Sequence, residues 1–190
     1  MNDLANRPHR QGVVANVPQA DREILDQLDR EQLYQYLSMQ IRNLWRVDGL
    51  YFLGIEKRHD VEEATEVDAE CWLYMGKVEA RELKNFLGIE APDPAQVLFL
   101  LRHTSWALSH ELKSFSVDPD GGATFSVDKC RTQMIRLDKG LEPHPCLLVR
   151  EGYLQSFVQE CNPKVKLVTV SCPPNQTLDD VWCRWRFVWA

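Results

Sequence analysis

Four of the six cysteines in this chain stand beside arginines and aromatics in its C-terminal part. They read Cys130-Arg131-Thr132-Gln133, Pro145-Cys146, Cys172-Pro173-Pro174 and Trp182-Cys183-Arg184-Trp185. Cys130 and Cys146 each fall at the start of a predicted helix. The partial positive charge of a helix start lowers a thiol pKa, and the thiolate is the form that attacks carbon. The sequence therefore predicts Cys130 or Cys146 as a nucleophile, with His144 close to the second. Arg131 is the expected clamp for a carboxylate, because a planar guanidinium holds one through two hydrogen bonds. Asp48 lies near Trp45 and Tyr51, and Asp68 near Trp72. Either is a candidate general acid or base if burial raises its pKa. Arg136, His144, Trp185 and Trp72 complete the expected ligand-contacting set.

Plainer readings stand beside these. Cysteine is a small hydrophobe and among the most often buried residues. Arginines alternating along a strand are commonly solvated or paired with surface acids. His103 and His110 read as core or rim histidines with their hydrogen bonds satisfied. Cys130, Cys146, Cys172 and Cys183 also read, alternatively, as four thiolates around zinc. No CxxC pair occurs, so the fold would have to assemble that site. The cofactor is otherwise left open. Glu56-x-x-His59 puts two ligand types on one helix face, but a di-iron bundle uses two such motifs and only one is present.

Bulk properties bound the function. The net charge is −6 and no long Lys/Arg run occurs, which argues against nucleic acid as a partner. No apolar stretch is long enough to span a membrane. Residues Met1 to Asn6 lack the charged start and apolar run of a secretory signal. A cytoplasmic location is expected, and there cysteines stay reduced. The expected partner is a small-molecule ligand. Six tryptophans suggest an apolar pocket or a homodimer contact.

The elements that must position these residues are legible in order. Residues 1–20 read as an extended arm, 21–110 as a helical region, and 111–190 as an α+β region holding the cysteines, the last two forming one unit. Apolar residues recur at three- and four-residue steps from Ile24 to Trp45, which predicts a helix. Asp29 with Gln32 marks a restart inside it. Asp48-Gly49 predicts its end, followed by a short helix to His59. Asp60-x-x-Glu63 opens a long helix that Gly88 closes. Asp93-Pro94 opens another, apolar nearly all round, to about residue 109.

Two β-prone runs, 112–117 and 123–127, flank Asp118-Pro119-Asp120-Gly121-Gly122 and predict a hairpin. Helices follow from Cys130 and from Pro145. Strands over 165–172 and from Cys183 to Trp189 predict a second hairpin. The period of two in the last strand puts Cys183, Trp185 and Phe187 on one face and Arg184 and Arg186 on the other. The fold class is α+β: a helical N-terminal half, then a β-β-α-α-β-β antiparallel sheet with helices on one face.

Two segments carry a resemblance. One is Trp45-x-x-Asp48-Gly49-Leu50-Tyr51-Phe52 with Ala64, Asp68 and Trp72. The other is Cys130-x-x-Gln133-x-x-Arg136, Gly140-Leu141, Pro145-Cys146, Cys172-Pro173-Pro174 and Cys183-x-Trp185-x-Phe187. Over residues 40 to 189 the chain resembles an uncharacterised family of prokaryotic cytosolic proteins. That family is distantly similar to the L-2-amino-thiazoline-4-carboxylate hydrolase-like proteins. The likeness implies opening of a small sulfur- and nitrogen-containing ring acid by water. In layout alone the chain is also similar to small-molecule-binding domains of the 4-vinyl reductase type. The expectation is thus a hydrolase-like enzyme acting on a small carboxylate in a Cys/Arg-lined pocket. The alternative is a non-catalytic small-molecule or metal-binding module of the sensor type.

Overall fold

The computed structural model describes residues 17–176 and 181–190. Most of the arm expected over residues 1–20 lies outside the described residues. A short helix α1 (Gln19–Leu25) precedes α2 (Arg30–Arg58). Asp29 and Gln32 form the predicted capping box: each backbone N–H donates to the other's side chain. The predicted stop at Asp48-Gly49 does not occur, and α2 runs unbroken through it. Trp45, Asp48 and Phe52 continue one helical face, and Phe52 is buried. A Cβ built on Gly49 would meet nothing within 4 Å, so this glycine answers no packing demand.

Helix α3 (Val61–Leu87) starts at Asp60, whose carboxylate accepts from the Glu63 N–H, and ends at Gly88 with φ 67°. That left-handed conformation suits glycine. The apolar helix expected over 94–109 is two helices, α4 (Pro94–Leu101) and α5 (Ser105–Ser109). Thr104 divides them, because its hydroxyl accepts from the Ala107 N–H and caps a new start.

Strands β1 (Leu112–Val117) and β2 (Ala123–Lys129) form the first hairpin. Helices α6 (Arg131–Asp138) and α7 (Cys146–Cys161) follow, then β3 (Val165–Ser171) and β4 (Cys183–Trp189). The sheet order is β1-β2-β4-β3, with every pairing antiparallel. The α+β class and the second hairpin are as the sequence predicts.

The alternation in β4 also holds. Cys183, Trp185 and Phe187 are buried with Phe125 and Val127 of β2, and α4 and α7 pack against the sheet. On the opposite face Arg184 donates to Ser126, and Arg186 pairs with Asp118 and Asp120. The core is one cluster drawn from both halves of the chain. Its main helical contact is α3 against α7. There a Cβ added at Gly76 would collide with the Ser156 hydroxyl and the Tyr153 carbonyl, so these helices approach to within the width of a side chain.

Candidate functional site

Between α2, α5, α6 and the start of α7 lies a cavity of about 410 Å³. That is within the usual size range of small-ligand sites. Its wall includes Trp45, Phe52, Trp106 and Trp182, and its polar groups include Asp48, Asp68, His110, Arg131, His144 and Arg150. Cys130, Cys146 and Cys183 also line it. Residues far apart in sequence thus meet around one hollow.

Arg150 is the group that sequence reasoning passed over. It sits on α7 one turn beyond Cys146 and one turn before Tyr153, so all three share a helix face. Arg150 is 9% exposed. Its guanidinium carbon lies 5.1 Å from the Trp45 ring centre, 4.8 Å from Trp72, 5.7 Å from Trp106 and 6.0 Å from Tyr153. Trp45 and Trp72 are themselves stacked, with ring centres 4.7 Å apart. An aromatic cage of this kind stabilises a cation through the ring quadrupoles. It does not satisfy N–H donors. Nη1 of Arg150 is buried without a hydrogen-bond partner among the described residues. A signal existed: Arg150 is a lone charge after Leu147-Leu148-Val149 in an otherwise apolar helix face.

Two carboxyls face this cation. Burial pushes Asp48 above the usual carboxylate range, against the opposing pull of Arg150 and of the Trp72 indole N–H, which donates at 3.1 Å. Burial likewise pushes Asp68 up to about 6; Arg150 lowers it and the Asp48 charge raises it further. Asp68 Oδ2 stands 3.8 Å from His144 Nε2. Both acids thus have the burial-raised pKa that the sequence reading set as its condition for an acid–base role. Asp48 lies mid-helix and not at the helix end predicted there. Glu79 adds a third buried acid near Arg150: it accepts from Tyr153 Oη at 2.7 Å, and burial raises it as well.

Two imidazoles complete the polar lining. His144 is held by Gln133, whose amide oxygen accepts from the His144 N–H at 2.8 Å and whose NH₂ donates to the His144 carbonyl at 2.9 Å. Burial, with Arg150 and Arg136 nearby, lowers His144 to about 3, so the ring is neutral at pH 7. Its Nδ1 has no hydrogen-bond partner among the described residues. His110, at the end of α5, is also lowered to about 3 by burial, Arg150 and Lys113. Neither of its ring nitrogens has a hydrogen-bond partner among the described residues. The satisfied-histidine reading is therefore right for His103, whose Nδ1 lies 2.8 Å from the Phe99 carbonyl oxygen, and wrong for His110. Each unpaired buried polar group costs about 1–3 kcal/mol.

The cysteines depart from expectation. Cys130 is the residue before α6, and the Gln133 and Thr132 N–H groups do favour its thiolate, yet burial outweighs them and raises the thiol. Burial also raises Cys146 and Cys172, and pushes Cys183 up to about 12. The ionised forms of Cys130, Cys146, Cys172 and Cys183 would repel one another. The predicted thiolates at helix starts are thus protonated thiols. The zinc reading of these four cysteines is not supported by their placement. Among the described residues, no group of three or more His, Cys, Asp or Glu side chains is arranged to hold a metal ion.

The remaining expected ligand contacts divide. Arg131 lines the cavity and is half-buried. Arg136 reaches the wall, but its guanidinium donates to both Glu56 oxygens at 2.7 and 2.9 Å and to the Glu142 carbonyl at 2.7 Å. It ties α6 to α2 rather than presenting an unmatched cation. Trp72 lies behind the wall, stacked on Trp45. Trp185 is fully buried in the sheet core and is not among the lining residues.

Fold and site together define an α+β protein with an aromatic-walled, cation-bearing cavity between its helical half and its sheet. Residues 26–189 match a family of unknown function (DUF6125), and the chain belongs to that family. No curated protein and no solved structure matches it significantly. Among the described residues no helix is long and apolar enough to cross a membrane.

Proposed function

We propose that this protein binds a small organic carboxylate in the cavity, with Arg150 as the counter-cation. The observation that supports this most is the unpartnered, buried Nη1 of Arg150 at the cavity wall. A buried guanidinium with an open donor is completed by an anion that brings its own acceptors, and carboxylate geometry fits it. The aromatic wall covers an apolar body. The protonated thiols serve as part of that wall. This is the binding-module reading of the sequence, in its non-metal form.

The hydrolase-like reading keeps one specific support. Asp68, raised to about 6 and 3.8 Å from a neutral imidazole, is suited to moving a proton near neutral pH. In that reading Asp68, protonated once a carboxylate-bearing ring is held by Arg150, gives its proton to the leaving ring heteroatom as water attacks and takes back a proton from that water, and no cysteine attacks. Replacing Asp68 with Asn then abolishes turnover and leaves binding intact.

Calorimetric titration with benzoate and with its neutral amide, benzamide, tests the binding proposal. Saturable binding of benzoate and none of benzamide is expected. Equal affinity for both, or binding of neither, would overturn it.

A further inference from the structure

The cavity holds more unmatched polarity than a carboxylate uses. Among the described residues Arg150 accounts for one unpartnered atom, and the imidazoles of His110 and His144 account for three others. Both imidazoles are 6% exposed and both line the same cavity. Buried polar atoms of native proteins are nearly always paired. Trp185 Nε1 faces the Cys183 thiol in the sheet core, and Trp185 is not among the residues lining this cavity.

The chemistry of the imidazoles restricts what pairs with them. Their neighbours include cations: Arg150 and Lys113 act on His110, and Arg150 and Arg136 on His144. A second positive charge is disfavoured at either ring, so each stays neutral. A neutral imidazole offers one donor and one acceptor nitrogen. It recognises an uncharged group such as a hydroxyl or a ring N–H, which both gives and takes a hydrogen bond. The cations near the rings are already engaged, Arg136 by Glu56, Lys113 by the Ala107 carbonyl and Arg150 by the first carboxylate, and a second carboxylate would add to the charges of Asp48 and Asp68. The wall favours a flat body: Trp45, Phe52, Trp106 and Trp182 all line the hollow, and aromatic faces pack well against a planar ring.

We infer that the ligand is a planar ring monocarboxylate bearing an uncharged hydrogen-bonding substituent, its carboxylate on Arg150 and its substituent on His110 or His144. This rests on the carboxylate reading above. It adds a second recognition element that the carboxylate alone does not require. Selectivity follows, because a site with buried polar groups discriminates against an analogue that leaves them unpaired.

The test compares benzoate with the three hydroxybenzoate isomers on the full-length wild-type protein. At least one isomer should bind about fivefold or more tighter than benzoate, as expected for one added hydrogen bond. That gain, read as the ratio of the isomer's affinity to benzoate's in the same variant, should vanish in His110→Phe or in His144→Phe. The imidazole ¹⁵N resonances of the wild-type protein provide a measurement that needs no variant. A signal from His110 or His144 should move with the preferred isomer and stay in place with benzoate. If benzoate binds and no isomer reaches a fivefold gain, the inference fails and the carboxylate reading stands. If neither benzoate nor any isomer binds, the carboxylate reading itself fails.

Discussion

The guanidinium of Arg150 lies 4.8 Å from the centre of the Trp72 ring, and the N–H of that same indole donates to Asp48. One tryptophan therefore shields the cavity's buried cation with its face and binds one of the opposing acids with its edge. The arrangement keeps charge of both signs in a low-dielectric place without letting them form a direct ion pair. In the binding role proposed above, an incoming anion completes this balance.

The balance gives a pH dependence for binding. Asp48, Asp68 and Arg150 interact with one another, while His110 and His144 are neutral at neutral pH and Arg136 is matched by Glu56. A carboxylate on Arg150 adds a negative charge and takes up part of the cation that helps Asp68 ionise. Asp68, already at about 6, must rise further. Binding near pH 7 should then take up a proton, and affinity for benzoate should fall as pH rises from 6 to 8. Calorimetry in two buffers of different ionisation enthalpy measures the proton count; no uptake, or release, contradicts this.

Stability has its own pH signature at His110. Folded, its pKa is lowered to about 3 from the ordinary 6.5. Between those values the unfolded chain binds a proton and the folded chain does not. Its contribution is therefore lost as pH falls through that interval. Asp68 has the opposite sign: folded, it rises from 3.8 to about 6, and its contribution is lost as pH rises. Relative to wild type, His110→Phe should gain stability steadily as pH drops from 6.5 towards 4. Urea unfolding across that range checks it, and a difference independent of pH would contradict it.

Thiol reactivity should follow exposure. Cys71 is exposed, whereas Cys130, Cys172 and Cys183 are buried, and burial pushes Cys146 and its neighbours up. Native protein treated with iodoacetamide at neutral pH should label first at Cys71, with the cavity cysteines labelled only slowly. Mass spectrometry reads the order. Rapid labelling at Cys130 or Cys146 would revive the nucleophile reading.

The α3–α7 seam depends on Gly76. A Cβ there collides with the backbone of Tyr153 and with Ser156, so the helices would have to part. Gly76→Ala should destabilise the fold by about 1–3 kcal/mol. Because α7 carries Arg150, it should also weaken benzoate binding. A variant as stable as wild type in urea would show that the seam is loose.

Much of this architecture is legible in local chemistry. Asp29 with Gln32, Asp60 before Glu63, and Asp93-Pro94 each mark a helix start that forms as read. The alternation from Cys183 to Phe187 gives the buried face of β4 correctly. What fails is local reasoning about residues whose role is set by distant partners. Asp48-Gly49 resembles a helix end, but the buried Phe52 beyond it extends α2. Cys130 and Cys146 occupy helix starts, but the sheet and neighbouring helices cover them, and desolvation outweighs the helix-start effect. Arg136 looks like a free cation until Glu56, 80 positions earlier, is seen to meet it. Arg150 has no motif around it; only three tryptophans from separate helices make it a site.

The most direct measurement is benzoate affinity in Arg150→Met beside wild type and Arg150→Lys. Removing the guanidinium should weaken binding by about ten- to a hundredfold, the worth of a hydrogen bond to a charged group. Lys should recover part of it, by restoring charge without the fork. Unchanged benzoate affinity in a folded Arg150→Met protein would contradict the account.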